Sequence, residues 1–235
     1  MTLPHLIIVI IIIFFIYEGS AMYVKIGVSK RLIQSAQPFV REGGDHQRAL
    51  LVLGDSTAVG VGAKGPEDSV AGRFAQHIGA SYVDNRSFSG AKVGDLPIQI
   101  AGARLDRYAF ILIAVGANDI VSFGRSSSAM KKFELALSKL PPAGQVVVHS
   151  AGNVGGTTLF PFFIRPVYTW LTKKYHAGFE KLAAEKGFTY VNLYQPSSED
   201  PFVREPKVYL APDGLHPSSE GYRAWFEKIR PAIRL

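Results

Sequence analysis

Leu51-Val52-Leu53-Gly54-Asp55-Ser56-Thr57 is an apolar run that breaks at a glycine and passes at once into a carboxylate and two hydroxyls. A short, near-continuous apolar run bounded by turn residues reads as a strand buried on both faces, and Gly-Asp-Ser after it suits a tight turn into a helix. Strands of that kind belong to parallel sheets covered by helices on both sides. Ser56 then has two readings. Asp and Ser are common helix caps, so it can simply satisfy the first turn. Alternatively, a serine at a helix start lies beside unpaired N–H groups and the positive end of the helix dipole, where developing negative charge is stabilised. The stretch by itself leaves both open.

Working outward, Ala49 to Leu53 forms the strand, and Glu67 to Ile78 carries Val70, Phe74 and Ile78 at helical spacing before Gly79 stops it. Tyr82-Val83 is a short strand, and Leu96 to Leu105 a helix with Asp95 as its expected cap. Phe110 to Val115 is a buried strand. Ser128 to Leu140 places Met130, Phe133, Leu137 and Leu140 on one helical face and ends at Pro141-Pro142. Gln145 to His149, a long helix from Val167 to Lys186 closed by Gly187, Phe188 to Leu193, and a last helix from Ser218 to Ile229 complete the series. Strands alternating with amphipathic helices predict an α/β domain over residues 49–235, with a parallel sheet between two helical layers. Sites in such sheets form beyond the carboxyl ends of the strands.

The strand ends therefore carry the chemistry. Gly54-Asp55-Ser56 follows the first, and the loop Asn85-Arg86-Ser87-Phe88-Ser89-Gly90, rich in small residues, follows the second. Gly116-Ala117-Asn118-Asp119 follows the third, and the loop after the fifth leads to Asp213-Gly214-Leu215-His216-Pro217. A neutral hydroxyl is a poor nucleophile, so a histidine must take its proton and a carboxylate must hold that histidine in the right tautomer. A turn that brings Asp213 and His216 onto one side supplies both. The N–H groups of Ser56 and Gly90, with the Asn118 amide, can supply three donors to an oxyanion.

These blocks resemble those of the SGNH hydrolases, also called GDSL-type esterases. Gly54-Asp55-Ser56 corresponds to the first block, Gly90 to the second, Gly116-Ala117-Asn118-Asp119 to the third and Asp213-Gly214-Leu215-His216 to the fifth. The resemblance implies a flavodoxin-like, three-layer α/β/α sandwich with a five-stranded parallel sheet. It also implies Ser56 as nucleophile, Gly90 and Asn118 as oxyanion donors, and Asp213 with His216 as the other triad members. Ester hydrolysis of this kind calls for no metal and no cofactor. Asp55 is assigned to the turn, and Asp119 to a cap or a bond with neighbouring backbone.

Outside this body, Leu6 to Ile16 is uninterrupted apolar sequence, and Glu18 is the only Asp, Glu, Lys or Arg before Lys25. Eleven helical residues cover about half of a bilayer's ~30 Å hydrocarbon core; continuing to Val24 gives enough length to cross. Residues 1–24 are therefore read as a membrane anchor or a signal segment, and 25–48 as a basic connector. No Lys or Arg precedes the apolar run as a secretory signal prefers, whereas Lys25, Lys30, Arg31 and Arg41 follow it. By the positive-inside rule this favours an uncleaved anchor with the body on the cytoplasmic side; cleavage near Gly19-Ser20-Ala21, giving a periplasmic or secreted protein, is the alternative.

A net charge of +7 points to anionic surfaces as partners. The basic residues are scattered, without a zinc spacing, basic arm or aromatic RNA-binding signature, so a membrane surface is preferred to nucleic acid. The chain has no cysteine, which excludes disulfides, thiolate metal sites and a cysteine nucleophile. Four histidines, His46, His77, His149 and His176, lack ligand spacing with acids. The loop after the fourth strand, Ala151 to Gly156, runs into an aromatic stretch, from which Asn153, Val154 and Phe162 are taken as acyl-binding candidates. The expected substrates are esters with lipid-like acyl chains. An O-acetyl group on a cell-envelope carbohydrate is the second possibility, and a non-catalytic lipid-binding module a third.

Overall fold

In the computed structural model, which describes residues 2–44 and 46–235, the chain opens with one uninterrupted helix, α1 (Leu3–Ser35). The boundary expected after residue 24 is not a structural one. From Lys25 to Ser35 there is no proline, and Gly27 alone is not enough to stop a helix already propagating, so it continues until the approach to Pro38. At 1.5 Å per residue its 33 residues extend about 50 Å, against about 30 Å of bilayer hydrocarbon. None of its residues is buried, and it is long and apolar enough to cross a membrane. The connector that remains is short and partly built in: Phe39 is buried in the core of the body, and Arg41 exchanges backbone hydrogen bonds with Val83.

The body runs through β1 (Ala49–Gly54), α2 (Ser56–Val59), α3 (Val70–His77), β2 (Tyr82–Asn85), α4 (Leu96–Ala101), β3 (Tyr108–Ala114), α5 (Ala117–Val121) and α6 (Ser126–Leu137). Then come β4 (Ala143–His149), α7 (Arg165–Lys186), β5 (Thr189–Val191), the single turns α8 (Pro201–Arg204) and α9 (Pro206–Tyr209), and α10 (Ser219–Ile229). The five strands form one parallel sheet in the order β2-β1-β3-β4-β5. β1 lies inside the sheet and is wholly buried, as its apolar run requires.

Successive residues of a strand point to opposite faces, and the two core clusters follow that period. Leu51, Leu53, Ile111 and Ile113 pack with Leu96, Phe133, Phe179 and Leu182 from α4, α6 and α7. Leu50, Val52 and Leu112 pack on the other side with Val70 and Phe74 of α3 and with Tyr222 and Phe226 of α10. Each fully buried side chain of this size contributes about 1.5–3 kcal/mol. The result is the three-layer α/β/α sandwich expected.

Several element ends differ from those expected. The helix expected to start at Glu67 begins at Val70, because Pro66–Asp68 forms a tighter single turn and Ser69 caps α3 by accepting from the Gly72 N–H. Asp95 does not cap α4 with its side chain; its carboxylate instead accepts from the Lys92 N–H, closing the preceding turn. α4 also ends at Ala101, short of Leu105, with Gly102 as its C-cap.

Candidate active site

β1 ends on Gly54, whose φ of +142° favours glycine; a Cβ there would lie 1.9 Å from the Ala114 carbonyl oxygen. The turn is held from the side by Gln99 of α4. Its amide accepts from the Gly54 N–H at 2.7 Å and donates to the Gly54 carbonyl at 2.8 Å. Asp55 then caps α2: its carboxylate accepts from the Thr57 N–H at 2.9 Å and the Thr57 hydroxyl at 2.8 Å. Burial pushes the Asp55 carboxyl up to about 6, against the pull of the Thr57 donors and of His216. Because Asp55 is the cap, Ser56 is left as the first residue of α2, with an N–H that has no intrahelical acceptor and a side chain free for other work.

What that side chain meets comes from far along the chain. The His216 imidazole Nε2 lies 3.0 Å from Ser56 Oγ, and its Nδ1 lies 2.6 Å from Asp213 Oδ2. The turn between Asp213 and His216 is built by its own hydrogen bonds. Asp213 Oδ1 accepts from the N–H groups of Leu215 at 3.0 Å and His216 at 3.1 Å, while Ala211 donates to the His216 carbonyl at 2.8 Å. Gly214, with φ of +69°, lets the chain reverse, and its carbonyl accepts from the N–H groups of Thr158 and Leu159. Burial opposes ionisation of Asp213, but the hydrogen bond and charge of His216 and the two backbone donors outweigh it and hold the carboxyl below its ordinary value.

Ser56 and His216 open into a cavity of about 200 Å³ that Gly90 and Asn118 also line. Gly90 has φ of +87° and open space where a side chain would stand. Asn118, on α5, donates one amide hydrogen to the Ala91 carbonyl at 2.9 Å, which ties α5 to the loop after β2 and leaves a second amide hydrogen. Asp119 accepts from the Val93 N–H at 2.9 Å, so it ties α5 to the turn before α4, 26 residues away, rather than bonding its own turn.

Of the acyl-binding candidates, Asn153 and Val154 line the same cavity. The Asn153 amide is engaged elsewhere, accepting from the Thr169 hydroxyl at 3.0 Å and facing Ser197 Oγ at 3.4 Å. Phe162 is not in the cavity. The turn at Pro161 carries it outward, where it is exposed and packs edge-on against Phe14 of α1, with ring centroids 5.7 Å apart. Its neighbours in this stretch divide in two: Leu159, Phe160 and Tyr168 are core, whereas Phe163 and Trp170 are exposed.

Gln99, Ser29 and Ile33 have no counterpart among the residues the sequence singles out. Gln99 lies 45 residues from Gly54 in an ordinary helix, and no local pattern marks it as the clamp on the turn. Ser29 and Ile33 of α1 line the cavity from a segment that reads as a tether; a helical stripe along α1 would have been the only signal. At the end of β4 and on α7, His149 and His176 are buried, and desolvation brings each down to about 4. They bond the Ser150 and Ala151 carbonyls, so they serve the loop after β4.

The model of the GDSL-like Lipase/Acylhydrolase family matches residues 52–224. Solved structures share the fold at low identity. A member of the lipolytic G-D-S-L family from Veillonella parvula is 18% identical with a TM-score of 0.62, over 80% of this chain and 100% of that one. Phospholipase A1 from Streptomyces albidoflavus is 16% identical with a TM-score of 0.58, over 79% and 99%. An acetylxylan esterase from Geobacillus stearothermophilus is 15% identical with a TM-score of 0.57, over 83% and 100%. Among proteins of curated function, none matches this sequence.

Proposed function

The chain belongs to the GDSL-like Lipase/Acylhydrolase family and is an ester hydrolase; from that premise we propose that Ser56, His216 and Asp213 form its catalytic triad and that it cleaves lipid-like acyl esters at a membrane. The observation that carries the triad is the unbroken relay from Ser56 Oγ through His216 to Asp213, opening into a cavity.

Ser56 Oγ attacks the acyl carbonyl carbon while His216 Nε2 takes the hydroxyl proton; the carbonyl π electrons move onto oxygen. Asp213, kept ionised, stabilises the imidazolium and holds its Nδ1 proton. The Ser56 and Gly90 N–H groups and the Asn118 amide donate to the oxyanion, a contribution that in other hydrolases is worth about 3–4 kcal/mol per donor. Collapse of the intermediate breaks the ester C–O bond, and His216 returns the proton to the departing alcohol. Water, deprotonated by His216, then attacks the acyl-enzyme; the bond to Ser56 Oγ breaks, His216 returns the proton to that oxygen, and the acid is released. Every step is carried by this chain's own residues.

The lipid-like substrate rests on the cavity and on α1. Residues such as Val121, Val154, Leu215 and Trp225 give the cavity an apolar lining suited to an acyl chain. α1 holds the domain at the bilayer, and Lys25, Lys30, Arg31 and Arg41 after its apolar part favour the cytoplasmic side. The contacts of Phe14 and Phe15 with Phe162 and Phe163 support retention of the helix over its removal as a signal.

A fluorophosphonate probe tests the chemistry: the purified full-length protein should be labelled, and Ser56→Ala should not be. Absence of labelling in the wild type would remove the triad.

A further inference from the structure

Partly covered positions of α1 recur every three or four residues, as at Phe14, Glu18, Met22, Lys25, Ser29 and Leu32 with Ala21 and Val28 beside them; Ile33 is 38% exposed, and Val24 and Arg31 on the other side are exposed. That period is the one a helix shows when one face rests on a neighbour. Along this stripe the helix is fastened to the body at successive levels. Phe14 and Phe15 pack edge-on against Phe162 and Phe163, at centroid distances of 5.7 and 5.4 Å. Met22 packs on the core cluster, and the Lys25 ammonium donates to the Thr158 carbonyl. Thr158 in turn donates its N–H to the Gly214 carbonyl, inside the turn that carries Asp213 and His216.

One and two turns beyond Lys25, Ser29 and Ile33 reach the cavity that holds Ser56 and His216. At about 200 Å³ that cavity is smaller than the ~300–1,000 Å³ that encloses a drug-sized ligand. A space of that size suits a single acyl chain better than a whole two-chain lipid. From Leu6 to Ile16 α1 is apolar all round, and Phe14 and Phe15 of that stretch stand against the exposed aromatic tip of Phe162 and Phe163. On α7, one to three turns on from that tip, Trp170 carries Lys174 over its ring at 4.6 Å, an aromatic and cationic pair of the kind that sits at a membrane surface.

We propose that α1 completes the acyl-binding site: Ser29 and Ile33 wall the cavity over Ser56, so the helix that anchors the protein also selects the acyl chain, which enters from the bilayer alongside it. This rests on the hydrolase reading above. It makes the substrate class an acyl ester already resident in the membrane, with the ester brought to Ser56 at the surface and the headgroup left outside. It also gives Ile33, which no part of the triad chemistry requires, a role in specificity.

Because the chain has no cysteine, one can be placed at will. Full-length Ile33→Cys in detergent micelles is first reacted at Ser56 with a fluorophosphonate bearing either a methyl or a decyl chain. Alkylation of Cys at that position by N-ethylmaleimide is then timed, with Arg31→Cys as the control on the opposite face. The decyl adduct should slow alkylation at position 33 by about tenfold or more relative to the methyl adduct and leave position 31 unaffected. Equal rates at position 33 with both adducts would overturn the proposal while leaving the hydrolase intact. Failure of Ser56 to react at all would overturn both. Independently, Ile33→Trp should lower the ratio of kcat/KM for a p-nitrophenyl decanoate to that for the acetate by about tenfold or more. An unchanged ratio, in a variant that still takes up the methyl probe, would sink the wall.

Discussion

Replacing Asp213 with asparagine separates what this carboxylate does for the fold from what it does for the chemistry. Oδ1 accepts from two backbone N–H groups, of Leu215 at 3.0 Å and His216 at 3.1 Å, and Oδ2 faces His216 Nδ1 at 2.6 Å. An asparagine has one acceptor oxygen and one donor NH₂, so its orientation is decided by the turn. Setting the NH₂ against two N–H donors would leave them unsatisfied at about 1–3 kcal/mol each; the oxygen therefore stays on the turn and the NH₂ faces Nδ1. Nδ1 must then accept, which leaves the ring proton on Nε2, 3.0 Å from Ser56 Oγ. A histidine in that tautomer donates to serine and cannot take its proton. The equivalent change in another serine hydrolase lowers kcat about 10⁴-fold, or about 5.5 kcal/mol in the barrier. Asp213→Asn should accordingly fold as the wild type does, with its unfolding midpoint little changed, and lose about three to four orders of magnitude in turnover of a p-nitrophenyl ester. A folded variant within about tenfold of wild type would refute the role given to Asp213.

Gly54→Ala should cost more than about 4 kcal/mol, seen as a collapse of the urea midpoint, because its Cβ would lie 1.9 Å from the Ala114 oxygen. At Gly90, where nothing lies within 4 Å of the added carbon, the same substitution should cost only the ~1–2 kcal/mol of a left-handed backbone, and equal losses at the two sites would contradict the turn geometry. Acid should weaken the fold through His149 and His176. Each is held near 4 in the fold against 6.5 ordinarily, so each favours the neutral form; its contribution is complete above pH 6.5 and is lost as pH falls towards 4. Down to about pH 5 that loss is about 2 kcal/mol per histidine. Stability of the His149→Gln/His176→Gln variant should vary less over this window, and a pH profile parallel to wild type would count against these two groups.

Much of the fold could be read in advance because its signals are local. An apolar run such as Leu51 to Gly54 can be buried on both faces only inside a covered sheet, and the spacing of Val70, Phe74 and Ile78 already names the face that α3 buries. The ends of elements were harder to read, since they depend on single competing hydrogen bonds. Asp95 is the example: its carboxylate had a nearer N–H to accept from, that of Lys92, and so left α4 uncapped. The short blocks at the strand ends gave the candidate site for the same local reason, each being a turn whose residue types are constrained.

By itself, then, the sequence of this protein determined which residues must be buried, that the chain alternates strand and helix, and where the reactive side chains stand along it. The distances at which they meet, and what else surrounds them, were decided only by the tertiary structure. Ser56 and His216 are 160 residues apart, and no spacing rule acts over that distance. Gln99 on the Gly54 turn and the face of α1 on the body are further pairings set by packing in three dimensions. The sequence marked α1 as apolar but not as part of the site, because membership depends on what the helix rests against, and that is a property of the folded surface.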